Sequence, residues 1–208
     1  MIFIPVMVSY FYFLNVYTKK GIDMNSQHAL IRTSSGELAY ITKRFDRLKR
    51  DKIHVEDLCQ LSELLTEQKY KSSYERVGKI IRQYTINSGL DAIRYFRLVL
   101  FSFLVGNNDM HLKNFSLVHT QNGVLFSPAY DLLNVNLIFP GDKEELALTL
   151  AGRKRKIKRS DFDQFATSLE ITDIVRNNVY KDFSNQIYKA VDLINKSFLN
   201  TDYKEGYI

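Results

Sequence analysis

The sequence predicts an α+β protein that is predominantly helical, and three observations carry that expectation. Two short alternating runs, residues 28–33 and 37–43, are joined by Ser34-Ser35-Gly36, the pattern of a single β-hairpin. Segments 72–86 and 90–105 and most of the C-terminal third place apolar residues at helical spacing. A hydrophobic content of 45% with 25% charged residues is that of a packed globular chain.

Composition bounds what such a fold can do. With 208 residues the chain can bury a substantial core, as one domain or as a small lobe and a larger one. Its single cysteine, Cys59, excludes an internal disulfide and a cysteine-based zinc site, and suits a reducing cytoplasm. His28, His54, His111 and His119 show no H-x-x-x-H spacing, so no zinc-hydrolase motif is present. A net charge of +6 favours an anionic partner without choosing among nucleotide, nucleic acid and acidic protein.

In chain order, residues 1–18 are uncharged and mostly apolar. No basic region precedes them and no small-residue cleavage site follows, and Ser9, Asn15 and several tyrosines dilute them. A buried helix over 5–19 is therefore expected, not a membrane span, with Lys19 and Lys20 in its last turn and Gly21 as its cap. After the hairpin come Lys43-Arg44-Phe45-Asp46-Arg47 and a charged loop at 48–52. His54-Val55-Glu56-Asp57-Leu58-Cys59-Gln60 reads as the opening of a helix with acids in its first turn. A serine-capped helix follows at 72–86, then a more apolar one at 90–105 whose Arg94 and Arg97 mark a less buried side. Residues 115–119 and 124–126 form a hairpin around Gln121-Asn122-Gly123. Residues 144–150 alternate weakly, as a strand or an extended loop.

From Arg153 to Arg159 six of seven residues are basic. We read a solvated loop leading to a helix capped at Ser160, with phosphate contacts to nucleic acid as the alternative. Ile187, Val191, Ile194 and Phe198 share one helical face, and residues 201–208 are expected to fray.

The chemistry concentrates in residues 101–114, FSFLVGNNDMHLKN. An apolar run stops at Gly106-Asn107-Asn108, and Asp109, His111, Lys113 and Asn114 follow within six residues. Asp109 and Asn114 have the D-x-x-x-x-N spacing of a kinase catalytic loop. There the Asp accepts the proton of the attacking hydroxyl, the Asn binds Mg²⁺ and a nearby Lys neutralises phosphoryl charge. A second Mg²⁺ ligand is needed from a following loop, and Asp131 in Ser127-Pro128-Ala129-Tyr130-Asp131 is placed to supply it. Against this stands a polar helix end followed by a turn, which explains an Asn-Asp pair equally well. The addition of His111, Lys113 and Asp131 favours the catalytic reading.

Four motifs together resemble the HipA-like serine/threonine kinases, toxins of bacterial toxin–antitoxin modules. They are Arg44-Phe45-Asp46-Arg47, the segment from His54 to Gln60, Gly106-Asn107-Asn108-Asp109-Met110-His111-Leu112-Lys113-Asn114-Phe115-Ser116, and Ser127-Pro128-Ala129-Tyr130-Asp131-Leu132-Leu133. The resemblance implies a protein-kinase-like helical C-lobe at 48–208 and a partial N-lobe at 1–47, holding one helix, the hairpin and the hinge. Asp109 would be the base, Asn114 and Asp131 the Mg²⁺ ligands, and His111 and Lys113 supporters of the loop and phosphates. The backbone of Lys43, Arg44 and Phe45 would meet the adenine of ATP, with Asp46 near the ribose. It further implies a protein-serine substrate, in the best-known case an aminoacyl-tRNA synthetase. The partner would be a HipB-like DNA-binding antitoxin, with DNA reached through that antitoxin or weakly through the basic segment.

Departures from the family's pattern shape the expectations. No Gly-rich phosphate loop or ATP-binding lysine precedes the first helix, Ser9-Tyr10 stands where the family has Asn-Glu, and Lys43 replaces a hinge glutamate. Two readings follow: a kinase whose upper phosphate clamp comes from a partner chain or was lost by truncation, and an inactive kinase-derived module that binds an antitoxin–DNA complex. A small-molecule phosphotransferase is the third.

Overall fold

Three small antiparallel sheets flank a helical body in the computed structural model, which describes residues 28–49, 51–137, 139, 141–197 and 199–207. The expected helix over 5–19 and the Phe198 position lie outside the described residues. The first hairpin pairs β1 (His28–Arg32) with β2 (Leu38–Thr42), His28 opposite Thr42, as its alternation predicts. Two-residue strands β3 (Arg47–Leu48) and β4 (Asp51–Lys52) form the charged loop's own ladder. The third sheet runs β5-β6-β7, from Val55–Asp57, Ser116–Thr120 and Gly123–Phe126. Its β6–β7 hairpin is the one predicted around Gln121-Asn122-Gly123.

Helix α1 (Leu58–Leu61) corrects the reading of 54–60. Glu56 and Asp57 do not lie in a helical first turn. They belong to β5, where pairing with β6 outweighs the helix-start signal, and Asp57 becomes the N-cap, accepting from the Gln60 amide at 2.8 Å. Gln60 returns the bond to the Asp57 amide at 2.9 Å, completing a capping box.

Helix α2 (Tyr74–Tyr84) starts at an N-capping Ser73, and α3 (Ser88–Leu104) buries ten residues. Arg97 does not mark an exposed side. It lies buried under α5 (Asp173–Lys196), bound to Asp182 at 3.1 Å and set over the Phe183 ring, so its stem packs while its charge is paired. Arg94 is half-buried and bonded to Asp91, whose other oxygen accepts the Phe126 amide and ties β7 to α3.

Helix α4 (Arg159–Ser168) has Lys158 as its N-cap in place of the expected Ser160. Asp161 supplies the missing acceptor to the Lys158 amide at 2.7 Å. Residues 144–150 form an irregular segment bent at 145 and 147–148, with Leu146, Leu148 and Leu150 fully buried and an isolated bridge from Thr149 to Ser73. On α5 the buried stripe is Val179, Phe183, Ala190 and Ile194, while Ile187 is exposed. Residues expected to fray instead form α6 (Thr201–Tyr207), begun by the Asn200 side chain accepting from the Tyr203 amide.

One core runs through these elements, and its centre is aromatic. Tyr74, Tyr95, Phe96, Phe115 and Phe165 are all fully buried, with ring centroids of neighbouring pairs 5.2–6.4 Å apart. Their hydroxyls are satisfied: Tyr95 donates to the Tyr74 carbonyl, and Tyr74 to that of Met110. The core thereby grips the loop that carries Asp109.

Candidate functional site

Gly106 ends α3 and turns the chain into residues 107–114. Its φ of +72° is left-handed, and a Cβ there would lie 2.9 Å from Asn134 Oδ1. The Gly106 carbonyl accepts from both Val135 and Asn136, which joins this turn to the segment after Asp131. Gly106→Ala is therefore expected to cost about 1–3 kcal/mol, read as a lower urea midpoint at unchanged slope.

Asp109 is half-buried and accepts from the Tyr70 hydroxyl at 2.7 Å. Burial and the Asp109 carboxylate push the Tyr70 hydroxyl well above its ordinary value, so it stays a donor. The Tyr70 ring meets His111 edge-on at 5.1 Å. His111 is buried, which lowers its pKa; Lys69 adds to the shift and Asp109 opposes it. The imidazole is thus neutral at neutral pH, and its Nδ1 has no partner among the described residues.

A 3₁₀ turn, Leu112–Asn114, then orients the amide of Asn114. Its Oδ1 accepts from the His111 amide at 3.1 Å, and its Nδ2 donates to Asp131 Oδ2 at 2.6 Å. The β6–β7 hairpin folds the chain back to make that contact, as its spacing predicts. Asp131 is exposed and held at φ +55°, a left-handed conformation that aspartate tolerates better than most residues. Tyr130 beside it is anchored by the Lys113 carbonyl at 2.8 Å and the Ser116 hydroxyl at 2.6 Å. Lys113 lies 3.8 Å from Asp57, the cap of α1.

A cavity of about 400 Å³ opens next to this group, lined by Lys43, Arg44, Phe45 and Asp46 on one side and Asp57, Lys113 and Tyr130 on the other. The Phe45 and Tyr130 rings in its wall pack with centroids 5.7 Å apart. Of the residues singled out in the sequence, Lys43 to Asp46 and Lys113 line this cavity, Asp109 lines a second recess of about 270 Å³ with Tyr70, Asp142 and Glu144, and Asn114 is joined to Asp131 by the hydrogen bond above. Sequence reasoning missed Tyr70, Tyr130 and Asp57, which hold the group together. Tyr70 lies outside every motif, while Tyr130 and Asp57 stand inside two of them without their contacts being readable from spacing.

Asp46 is clamped by Arg44, at 2.8 and 2.6 Å, and by Arg47. The Arg44 hydrogen bond, aided by the charges of both arginines, holds its carboxyl down at about 2 from the usual 3.8. Since the folded value lies below the unfolded one, this stabilisation is complete above about pH 4 and lost as pH falls through about 2. Asp46→Asn should shrink the drop in urea midpoint across that window.

Comparison with known proteins gives the fold class and the family. The fold is kinase-like. It superposes on HipA from the Shewanella oneidensis MR-1 HipA–HipB–operator DNA complex with a TM-score of 0.81 at 18% identity, covering 99% of this chain and 53% of that one. On the Helicobacter pylori proinflammatory kinase CtkA the TM-score is 0.62 at 13% identity, covering 97% and 79%. The chain belongs to the HipA-like C-terminal domain family, which matches residues 10–193. A Sinorhizobium fredii relative named "Putative kinase Y4dM" is 36% identical over 136 residues, 63% of this chain and 32% of that protein. The chain spans about a third of the length of the curated relatives it matches. No helix among the described residues is long and apolar enough to cross a membrane.

Proposed function

We propose that this chain carries the catalytic machinery of a HipA-like serine/threonine kinase, the toxin component of a toxin–antitoxin module, and transfers the ATP γ-phosphate to a protein serine. The observation that carries this reading is the Asn114–Asp131 contact, five residues on from Asp109 along a loop held by the Tyr74 core. Asp109 acts as the base: Tyr70 occupies Oδ1, and Oδ2 takes the serine proton as the hydroxyl oxygen attacks the γ-phosphorus and ADP leaves.

The donor set fits magnesium. Asp131 and Asn114 offer hard oxygen ligands, and Asn114 Oδ1 keeps a second lone pair beyond its bond to His111. The ion would supply charge neutralisation on the phosphates. Lys113 and His111 support the loop and the phosphates, and the Lys43–Phe45 backbone receives the adenine in the 400 Å³ cavity, with Asp46 on the ribose side. In this reading residues 1–47 are part of an N-lobe and 48–208 a C-lobe, with the remaining phosphate clamp supplied by further chain or a partner. A HipB-like antitoxin is the partner expected from the family, with DNA reached through it or weakly through Arg153–Arg159.

A second reading, an inactive binding module that contacts an antitoxin–DNA complex, is favoured by one observation: both Asp46 oxygens are already taken by Arg44 and Arg47. Transfer assays with γ-labelled ATP, Mg²⁺ and a cell extract separate the readings. Acid-stable label on protein serine supports the kinase. Label only on a small-molecule hydroxyl, or none, overturns it.

A further inference from the structure

Away from the cleft, the pairing of β5 with β6 brings together three metal-ligating side chains that are distant in sequence. His54 precedes β5, Glu56 lies within it, and His119 lies in β6. The His119 amide donates to the His54 carbonyl at 2.9 Å, so the two histidines are cross-strand neighbours with their rings 4.6 Å apart. Glu56 lies two residues along the strand on the same face. Both imidazole Nε2 atoms converge on one carboxylate oxygen, Glu56 Oε2, at 2.8 Å from His119 and 3.4 Å from His54. All three ligand atoms fall within 4.8 Å of one another.

We propose that His54, Glu56 and His119 form a binding site for a borderline divalent transition-metal ion, of which Zn²⁺ is the redox-inert representative. Geometry supports this. Ligand atoms of a tetrahedral site with bonds of about 2.0–2.1 Å stand about 3.3–3.4 Å apart, so the His54 spacing is already that of a bound ion and the His119 contact needs to open by about 0.5 Å. Donor chemistry supports it too, since two imidazoles and one carboxylate suit zinc, copper or nickel, whereas magnesium seeks oxygen ligands throughout. The site is therefore chemically separate from the Asn114–Asp131 pair. Partial exposure of all three side chains (65% for His54, 33% for Glu56 and 38% for His119) gives the ion an entry path and leaves a fourth position to water.

A plain hydrogen bond from His119 to Glu56 is the competing explanation, and it accounts for only one of the two nitrogens. Position in the fold says what the ion would do. Strand β5 ends at Asp57, which caps α1 and faces Lys113, and β6 begins two residues after Asn114. A metal clamping the other end of this strand pair fixes the register of the floor on which the cleft is built.

Titration of the metal-free chain with Zn²⁺ against a chromophoric chelator, in excess Mg²⁺ to occupy carboxylate sites, tests this. One equivalent should bind at micromolar affinity or tighter and raise the melting temperature. Because loss of an outer partner alone typically weakens metal sites by about 10–100-fold, His54→Ala/His119→Ala should weaken binding by about 100-fold or more. Uptake that survives unchanged in that double variant, or no stoichiometric uptake by the parent chain, overturns the proposal. Should the double variant fail to fold, His54→Asn alone decides, because that exposed side chain can be lost without unfolding. Weakened uptake with an unchanged metal-free melt supports the site, and unchanged uptake removes it.

Discussion

Asp109→Asn is expected to lower phosphoryl transfer by about 10²–10⁴-fold, the usual contribution of a positioned general base, while leaving the thermal melt within a degree or so of the parent. The substitution keeps the acceptor for the Tyr70 hydroxyl and changes no buried volume, so folding has little to lose. What disappears is the ability to take a proton. A kinetic assay beside a melting curve checks both halves. If activity persists, Asp109 is not the base. If the cooperative melt is lost instead, the carboxylate is structural and the site assignment fails.

Phe165→Ala is expected to produce the largest loss of stability, about 3–5 kcal/mol by urea denaturation. Phe165 is fully buried on α4 and meets Tyr95 and Phe96 at 5.7 Å and Tyr74 at 6.4 Å. The cavity left behind sits at the junction of α2, α3 and α4, where none of three aromatic neighbours can fill it without leaving its own contacts. The effect should reach the cleft. Tyr74 holds the Met110 carbonyl, so a loosened Tyr74 releases the residue next to Asp109. Transfer should therefore fall in Phe165→Ala even under conditions where most of the chain remains folded. A variant of unchanged stability would show that the aromatic centre is not what carries α4.

Much of this was legible in the sequence because the information was local. Alternation and turn residues were enough for both hairpins, and the serine before the first long helix marked its cap. The separation of 17 positions between Asn114 and Asp131 was readable as out-and-back strands, and the two side chains meet at 2.6 Å. What stayed hidden depends on partners distant along the chain. Glu56 and Asp57 look like a helix start until β6 claims them, and Arg97 looks exposed until α5 covers it with Asp182 and Phe183. Tyr70 lies outside every motif and Tyr130 is only a neighbour of Asp131 in its own, yet they hold Asp109 and the segment before Asp131 in place. His54 and His119 were dismissed on linear spacing, which cannot register a cross-strand pair.

Calorimetric titration of the chain with Mg²⁺-ATP, repeated on Asp131→Asn, probes the cleft most directly. The parent should bind one nucleotide with measurable heat, and the variant should bind at least about tenfold more weakly because one carboxylate ligand of the ion is gone. Equal binding by both proteins would contradict the metal role of Asp131. No binding by the parent would contradict a cleft able to hold nucleotide from these residues, and would leave the antitoxin-binding module as the better description.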